Sequence, residues 1–152
     1  MRIVLQRAAI VAAIVVSAAG CGGGSGEGLD ANGRPLQPGG GPAPAGLQPT
    51  LASIQTEVFS VNCAVSGCHG GGTVQAGLRL EPGFSAVNLI SVESSQDATR
   101  IRVIPGNPNA SFLIQKLEGT QTLGDRMPQF SPPLPQATID AIRQWILAGA
   151  PL

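Results

Sequence analysis

Two thiols and an imidazole fall within seven residues of this chain, Cys63-Ala64-Val65-Ser66-Gly67-Cys68-His69. Residues of these types support three chemistries. A disulfide can join Cys63 to Cys68 in an oxidising compartment and leave His69 as an exposed loop residue. Zinc can take two thiolates and an imidazole, but a structural site wants a fourth strong ligand. A c-type haem can take both thiols as thioethers and the adjoining imidazole on its iron. The adjacency of Cys68 and His69 sets that imidazole under the ring. Haem attachment usually leaves two residues between the cysteines, whereas four separate them here. Ser66 and Gly67 suit a bulge that loops out the extra two.

If a haem is bound, the remaining residues restrict its second axial ligand. Beyond Met1 the chain has one Met, Met127, and one His, His69. A bis-His site within the chain is therefore impossible. Met127 is the soft neutral ligand left, in a loop bounded by prolines before the last helix. A His69/Met127 pair raises the reduction potential relative to bis-His. The plainer reading of Met127 is loop filler, which leaves Lys116 or an open iron position. An open position permits peroxide or small-ligand chemistry and points to an enzyme or a sensor.

These residues need elements to hold them. Thr50 is a helix N-cap, with Leu51, Ile54 and Val58 on one face. Phe59 and Val61 extend that apolar surface toward Cys63. Residues 70–83 read as Gly-rich turns around Leu78-Arg79-Leu80. Phe84 to Ile90 is expected to form a short helix, and Arg100 to Ile104 an extended piece ended by Pro105. Asn107-Pro108 predicts a helix start. Leu113, Ile114 and Leu117 form that helix's apolar side, and Gly119 stops it. Leu123 to Pro135 is a Pro-rich loop. Gln136 to Ala148 is the clearest helix, with Ile139, Ile142, Trp145 and Ile146 on one face and Gly149 at its end. Trp145 reads as core packing rather than an electron relay. The expected class is mostly α, with long loops between few helices that a cofactor would hold.

The chain before Thr50 carries an address. Arg2 and Arg7 precede Ala8 to Ala19, twelve nearly all apolar residues. As a helix they rise about 18 Å, short of a hydrocarbon core of roughly 30 Å. This is the pattern of a secretory signal over residues 1–20. Its exit, Ser17-Ala18-Ala19-Gly20-Cys21, resembles a bacterial lipobox, which implies lipidation of Cys21. Ordinary cleavage with a free Cys21 thiol is the alternative. Several acyl chains hold a protein to a membrane better than one does. Gly22 stands where an inner-membrane retention signal has Asp, and by resemblance this points to the outer membrane. Residues 21–49 then form a Gly/Pro-rich linker with a reach of roughly 25–30 Å. Residues 50–152 are the single domain.

Composition narrows the function further. Losing residues 1–20 takes the nine basic side chains to seven against nine acidic ones, which excludes the basic stripe of a nucleic-acid binder. Aromatic residues make up 3% of the chain and there is no Tyr, so a cofactor would supply apolar volume that the side chains lack. Arg79, Arg102 and Arg126 are candidates to pair with haem propionates, although such arginines are more often solvated.

From Thr50 to Leu152 the chain resembles a class I cytochrome c of the short, lipid-anchored bacterial sort. Phe59 precedes the first Cys; Cys63 and Cys68-His69-Gly70 follow; then come Gly124-Asp125-Arg126-Met127-Pro128 and the closing helix with Trp145. The resemblance implies a small domain of several helices with long loops around one haem c. It also implies thioethers at Cys63 and Cys68, His69 and Met127 as iron ligands, and one-electron transfer rather than enzymatic catalysis. Partners would be redox proteins acting as donor and acceptor, reached from a membrane tether in the cell envelope. The competing expectation is a non-redox envelope lipoprotein clipped by a Cys63–Cys68 disulfide.

Overall fold

A computed structural model describes residues 45–72 and 74–152. The expected signal segment 1–20, lipidation at Cys21 and the linker as far as residue 44 lie outside the described residues.

Helix α1 begins as an α-helix at Leu51–Ile54 and continues as a π-helix over Gln55–Cys63. Thr50 caps it as expected: its backbone is extended and its hydroxyl accepts the Ser53 N–H at 3.3 Å. Ile54, Val58 and Phe59 are buried. Val61 is 63% exposed, because the wider i→i+5 turn carries it off the face that α-helical spacing assigns to it. Among the described residues, Leu47 packs against the core ahead of Thr50.

A 3-10 turn at Gln75–Gly77 leads to the short helix α2, Ser85–Leu89, inside the span expected for it. Next comes an antiparallel pair, β1 (Glu93–Ser94) with β2 (Asp97–Ile101), in which Glu93 faces Ile101 and Ser94 faces Asp97 across a bulge. The strip continues past β2, where the Arg102 N–H donates to Val92 at 2.8 Å and the Val103 N–H to Leu89 at 3.0 Å.

Helix α3 spans Phe112–Glu118, not the turn at Asn107-Pro108. Asn107 still caps locally, its Oδ1 accepting the Ala110 N–H at 3.2 Å. The buried Ser111 hydroxyl donates to the Asn107 carbonyl at 2.8 Å and accepts the Ile104 N–H at 2.9 Å. That folds residues 107–110 into a turn and delays the helix. Gly119, at φ +75°, ends α3 as expected. Helix α4, Gln136–Leu147, buries Ile139, Ile142, Trp145 and Ile146 and packs against α1 and α3. Among the described residues no helix is long and apolar enough to cross a membrane.

The mostly α expectation is therefore corrected. The described residues form a small mixed α/β domain, four helices and a two-stranded antiparallel sheet, with 37% of residues helical. The physical reason is the 11 Gly and 9 Pro between residues 45 and 152, which cut the helices short. Between α2 and α3, the pairing of β1 with β2 meets the backbone's hydrogen-bonding needs instead.

Candidate functional site

The site is built on the end of α1. The last π-type bond runs from the Ala64 N–H to the Phe59 carbonyl at 2.7 Å. A tight turn follows, with the Cys68 N–H on Val65 at 3.1 Å and Gly67 at φ +82°. The His69 N–H then returns to the Cys63 carbonyl at 3.0 Å. The four intervening residues are thus absorbed in one closed turn, as Ser66 and Gly67 led us to expect. Two further bonds strap this turn from outside, Gln75 N–H to the Cys68 carbonyl and Leu80 N–H to the His69 carbonyl, both at 2.8 Å.

Gly70 makes the closure possible. A Cβ at this position would lie 2.1 Å from the Ala64 carbonyl oxygen, a backbone atom that cannot swing away. Gly70→Ala is expected to cost about 2 kcal/mol or more in denaturant unfolding, since backbone overlap must be relieved by opening the turn. Gly72, with nothing within 4 Å of its Cβ position, is the control. Gly72→Ala should stay within about 0.5 kcal/mol of wild type. Equal stabilities for the two variants would refute the close-approach argument.

His69 is half-buried, and its Nδ1 lies 3.0 Å from the Leu78 carbonyl oxygen. A carbonyl can only accept, so Nδ1 carries the proton and Nε2 keeps its lone pair. Burial holds the imidazole below its ordinary range; the Arg102 charge acts the same way, and backbone hydrogen bonds at Leu78 and Gln75 oppose. The ring is oriented and neutral, as an iron ligand needs to be. Cys63 is half-buried and Cys68 exposed, and both are free thiols. Burial, with a smaller contribution from Cys68, pushes the Cys63 thiol up to about 12. It therefore stays protonated near neutrality and is a poor ligand for a bare metal ion. Among the described residues, no group of three or more His, Cys, Asp and Glu side chains could hold a metal ion.

Cys63, Cys68, His69 and Met127 line one cavity of about 500 Å³, within the usual range for small-molecule and cofactor sites. Leu78, Leu80, Leu89, Phe112, Leu113 and Leu117 give it apolar walls. Met127 comes from the loop after α3; it is half-buried and packs against the core. Its N–H donates to the Lys116 carbonyl at 2.9 Å. A second groove, lined by Asp125, Arg126, Pro128, Gln129, Phe130, Ser131 and Pro133, carries no thiol or imidazole.

The candidate arginines part company. Arg79 is ion-paired with Glu81 and stacked on Phe84, with its guanidinium carbon 3.6 Å from the ring centroid, and it does not line the cavity. Arg126 donates to the Leu117 carbonyl at 3.1 Å and lines the other groove. Arg102 does line the cavity and is only 8% exposed, against the expectation of a solvated side chain. It donates to the carbonyls of Asn88 at 2.8 Å and Ala76 at 3.0 Å. Ser94 and Gln96 of the hairpin complete the same wall. Nothing in the residue types of this hairpin marks it as part of the site, because its place there depends on strand pairing.

No family model matches the chain, and neither the curated proteins nor the solved structures include one with significant similarity to it.

Proposed function

We propose that this domain holds one covalently attached c-type haem and serves as a one-electron carrier tethered to a membrane. The observation that carries the reading is the convergence of Cys63, Cys68, His69 and Met127, spread over 65 residues of chain, on one apolar cavity. The donor set fits the group. Cys63 and Cys68 would hold it as thioethers, each S–H adding across one vinyl group with nothing lost. His69 Nε2 and Met127 Sδ would be its iron ligands. A haem bound there would supply a ferric/ferrous couple, with His/Met ligation favouring a raised potential.

The chain's own residues do the rest. The Leu78 carbonyl fixes the His69 tautomer and ring direction. The leucines and Phe112 exclude water and lower the local dielectric. The reading rests on attachment chemistry and not on a mostly α architecture. The lipobox-like Ser17 to Cys21 supports a lipid tether in a bacterial envelope, most consistent with the outer membrane. From there the domain would reach redox proteins as donor and acceptor.

The test is expression of the full chain in a bacterium with cytochrome c maturation machinery. Denatured, solvent-extracted protein should retain one haem per chain in a pyridine haemochrome assay. The Cys63→Ala/Cys68→Ala double variant should retain none. A wild-type chain from which all haem extracts would sink the proposal.

A further inference from the structure

Lys116 sits in the last turn of α3 and is only 6% exposed. Burying an ammonium is costly unless its hydrogen bonds are met. Here Nζ donates to the Leu123 carbonyl at 2.7 Å and the Asp125 carbonyl at 3.3 Å. The backbone carbonyl of the same residue accepts the Met127 N–H at 2.9 Å. One residue therefore grips the loop at 123, 125 and 127, alternate positions leading up to the sulfur.

The loop is shaped to receive it. A Cβ at residue 124 would lie 2.6 Å from Nζ and would have to displace the ammonium, and Gly124 has φ +69°, a conformation that favours glycine. The Phe112 ring, one turn earlier on α3, lies 5.1 Å from Nζ and adds a cation–π contact. A Leu or Met would fill this space without the desolvation cost, but neither could hold two carbonyls.

We propose that Lys116 is the positioning residue for Met127: it fixes the 123–127 loop so that the thioether is presented to the cavity. This deepens the haem reading and rests on it. With Nζ committed to two carbonyls, Lys116 acts through Met127 and does not replace it on the iron.

The full-length, haem-matured chain tests this. Lys116→Gln should keep one haem per chain, lose most of the ferric Met–iron charge-transfer absorbance, and show a lower reduction potential. Lys116→Arg, which keeps charge and donors, should restore part of both signals. Gly124→Ala, which displaces Nζ without removing it, should weaken the band in the same sense. A Lys116→Gln protein with full band and unchanged potential overturns the proposal. So does one that no longer holds haem, since Lys116 would then hold the fold rather than the ligand. Wild type without covalent haem, or Met127→Ala with the wild-type band, would instead remove the underlying reading.

Discussion

Truncating Trp145 to alanine is expected to destabilise the domain by about 3–5 kcal/mol, a large part of the roughly 5–15 kcal/mol that holds a domain folded. The side chain is fully buried on α4, the helix that packs against both α1 and α3. The chain has one Trp and no Tyr, so no other indole can take up the vacated space. The loss extends beyond volume. The indole N–H donates to the Pro151 carbonyl at 2.9 Å, and the Trp145 carbonyl accepts the Ala150 N–H at 2.9 Å. The indole bond pins the C-terminal residues back onto the helix they follow. Trp145→Phe separates the two contributions in part, because it keeps a buried ring but removes the indole bond and some of the volume. It should cost about 1–2 kcal/mol. Denaturant unfolding followed by circular dichroism distinguishes these outcomes; a Trp145→Ala midpoint close to wild type would disprove the central role of α4.

That prediction was open to sequence reasoning because α4 is a local pattern. Ile139, Ile142, Trp145 and Ile146 recur at helical spacing, and Gly149 follows at φ +98°. Thr50 and Gly119 were legible for the same reason: a cap and a left-handed stop act on their immediate neighbours. The extended piece expected over Arg100 to Ile104 overlaps the end of β2, but its pairing into a hairpin was not legible. Its strands are short, and Glu93, Ala98 and Thr99 are exposed, so no apolar alternation marks them. Arg102 illustrates the cost of missing it. As a residue type it reads as solvated, yet its partners are the Asn88 and Ala76 carbonyls, 14 and 26 residues away. The chain after β2 bonds back to Val92 and Leu89, and this sets Arg102 beside the end of α2. The π-helical winding of α1 is likewise invisible in composition, and it moved Val61 from the expected core to the surface. Of the residues lining the cavity, Cys63, Cys68 and His69 stand out in the sequence by type and spacing, and Met127 as the one Met beyond Met1. Gly70 belongs to the cytochrome-like stretch, but its necessity is tertiary, since it arises from the return of the chain against the Ala64 carbonyl.

Replacing Met127 with alanine is expected to have the largest effect on the proposed redox chemistry. Haem attachment should persist, because Cys63, Cys68 and His69 belong to a turn closed by its own hydrogen bonds, from Cys68 to Val65 and from His69 to Cys63. The Met–iron charge-transfer band should vanish and the reduction potential should fall. Thioether sulfur favours the ferrous state, and water or a harder ligand entering in its place favours the ferric one. Stability should fall far less than for Trp145→Ala, because Met127 is half-buried at the edge of the core and its backbone bond to Lys116 needs no side chain. Three measurements on one purified variant therefore carry the argument: haem per chain unchanged, band lost, potential lowered. An unchanged spectrum with full haem content would exclude Met127 as the ligand. An open position in the wild type would show differently, as binding of cyanide or carbon monoxide by wild type as readily as by Met127→Ala. The expected contrast is slow, weak binding in wild type and facile binding in the variant. That contrast separates a carrier, whose iron is closed on both faces, from an enzyme or sensor, whose iron must admit a small molecule.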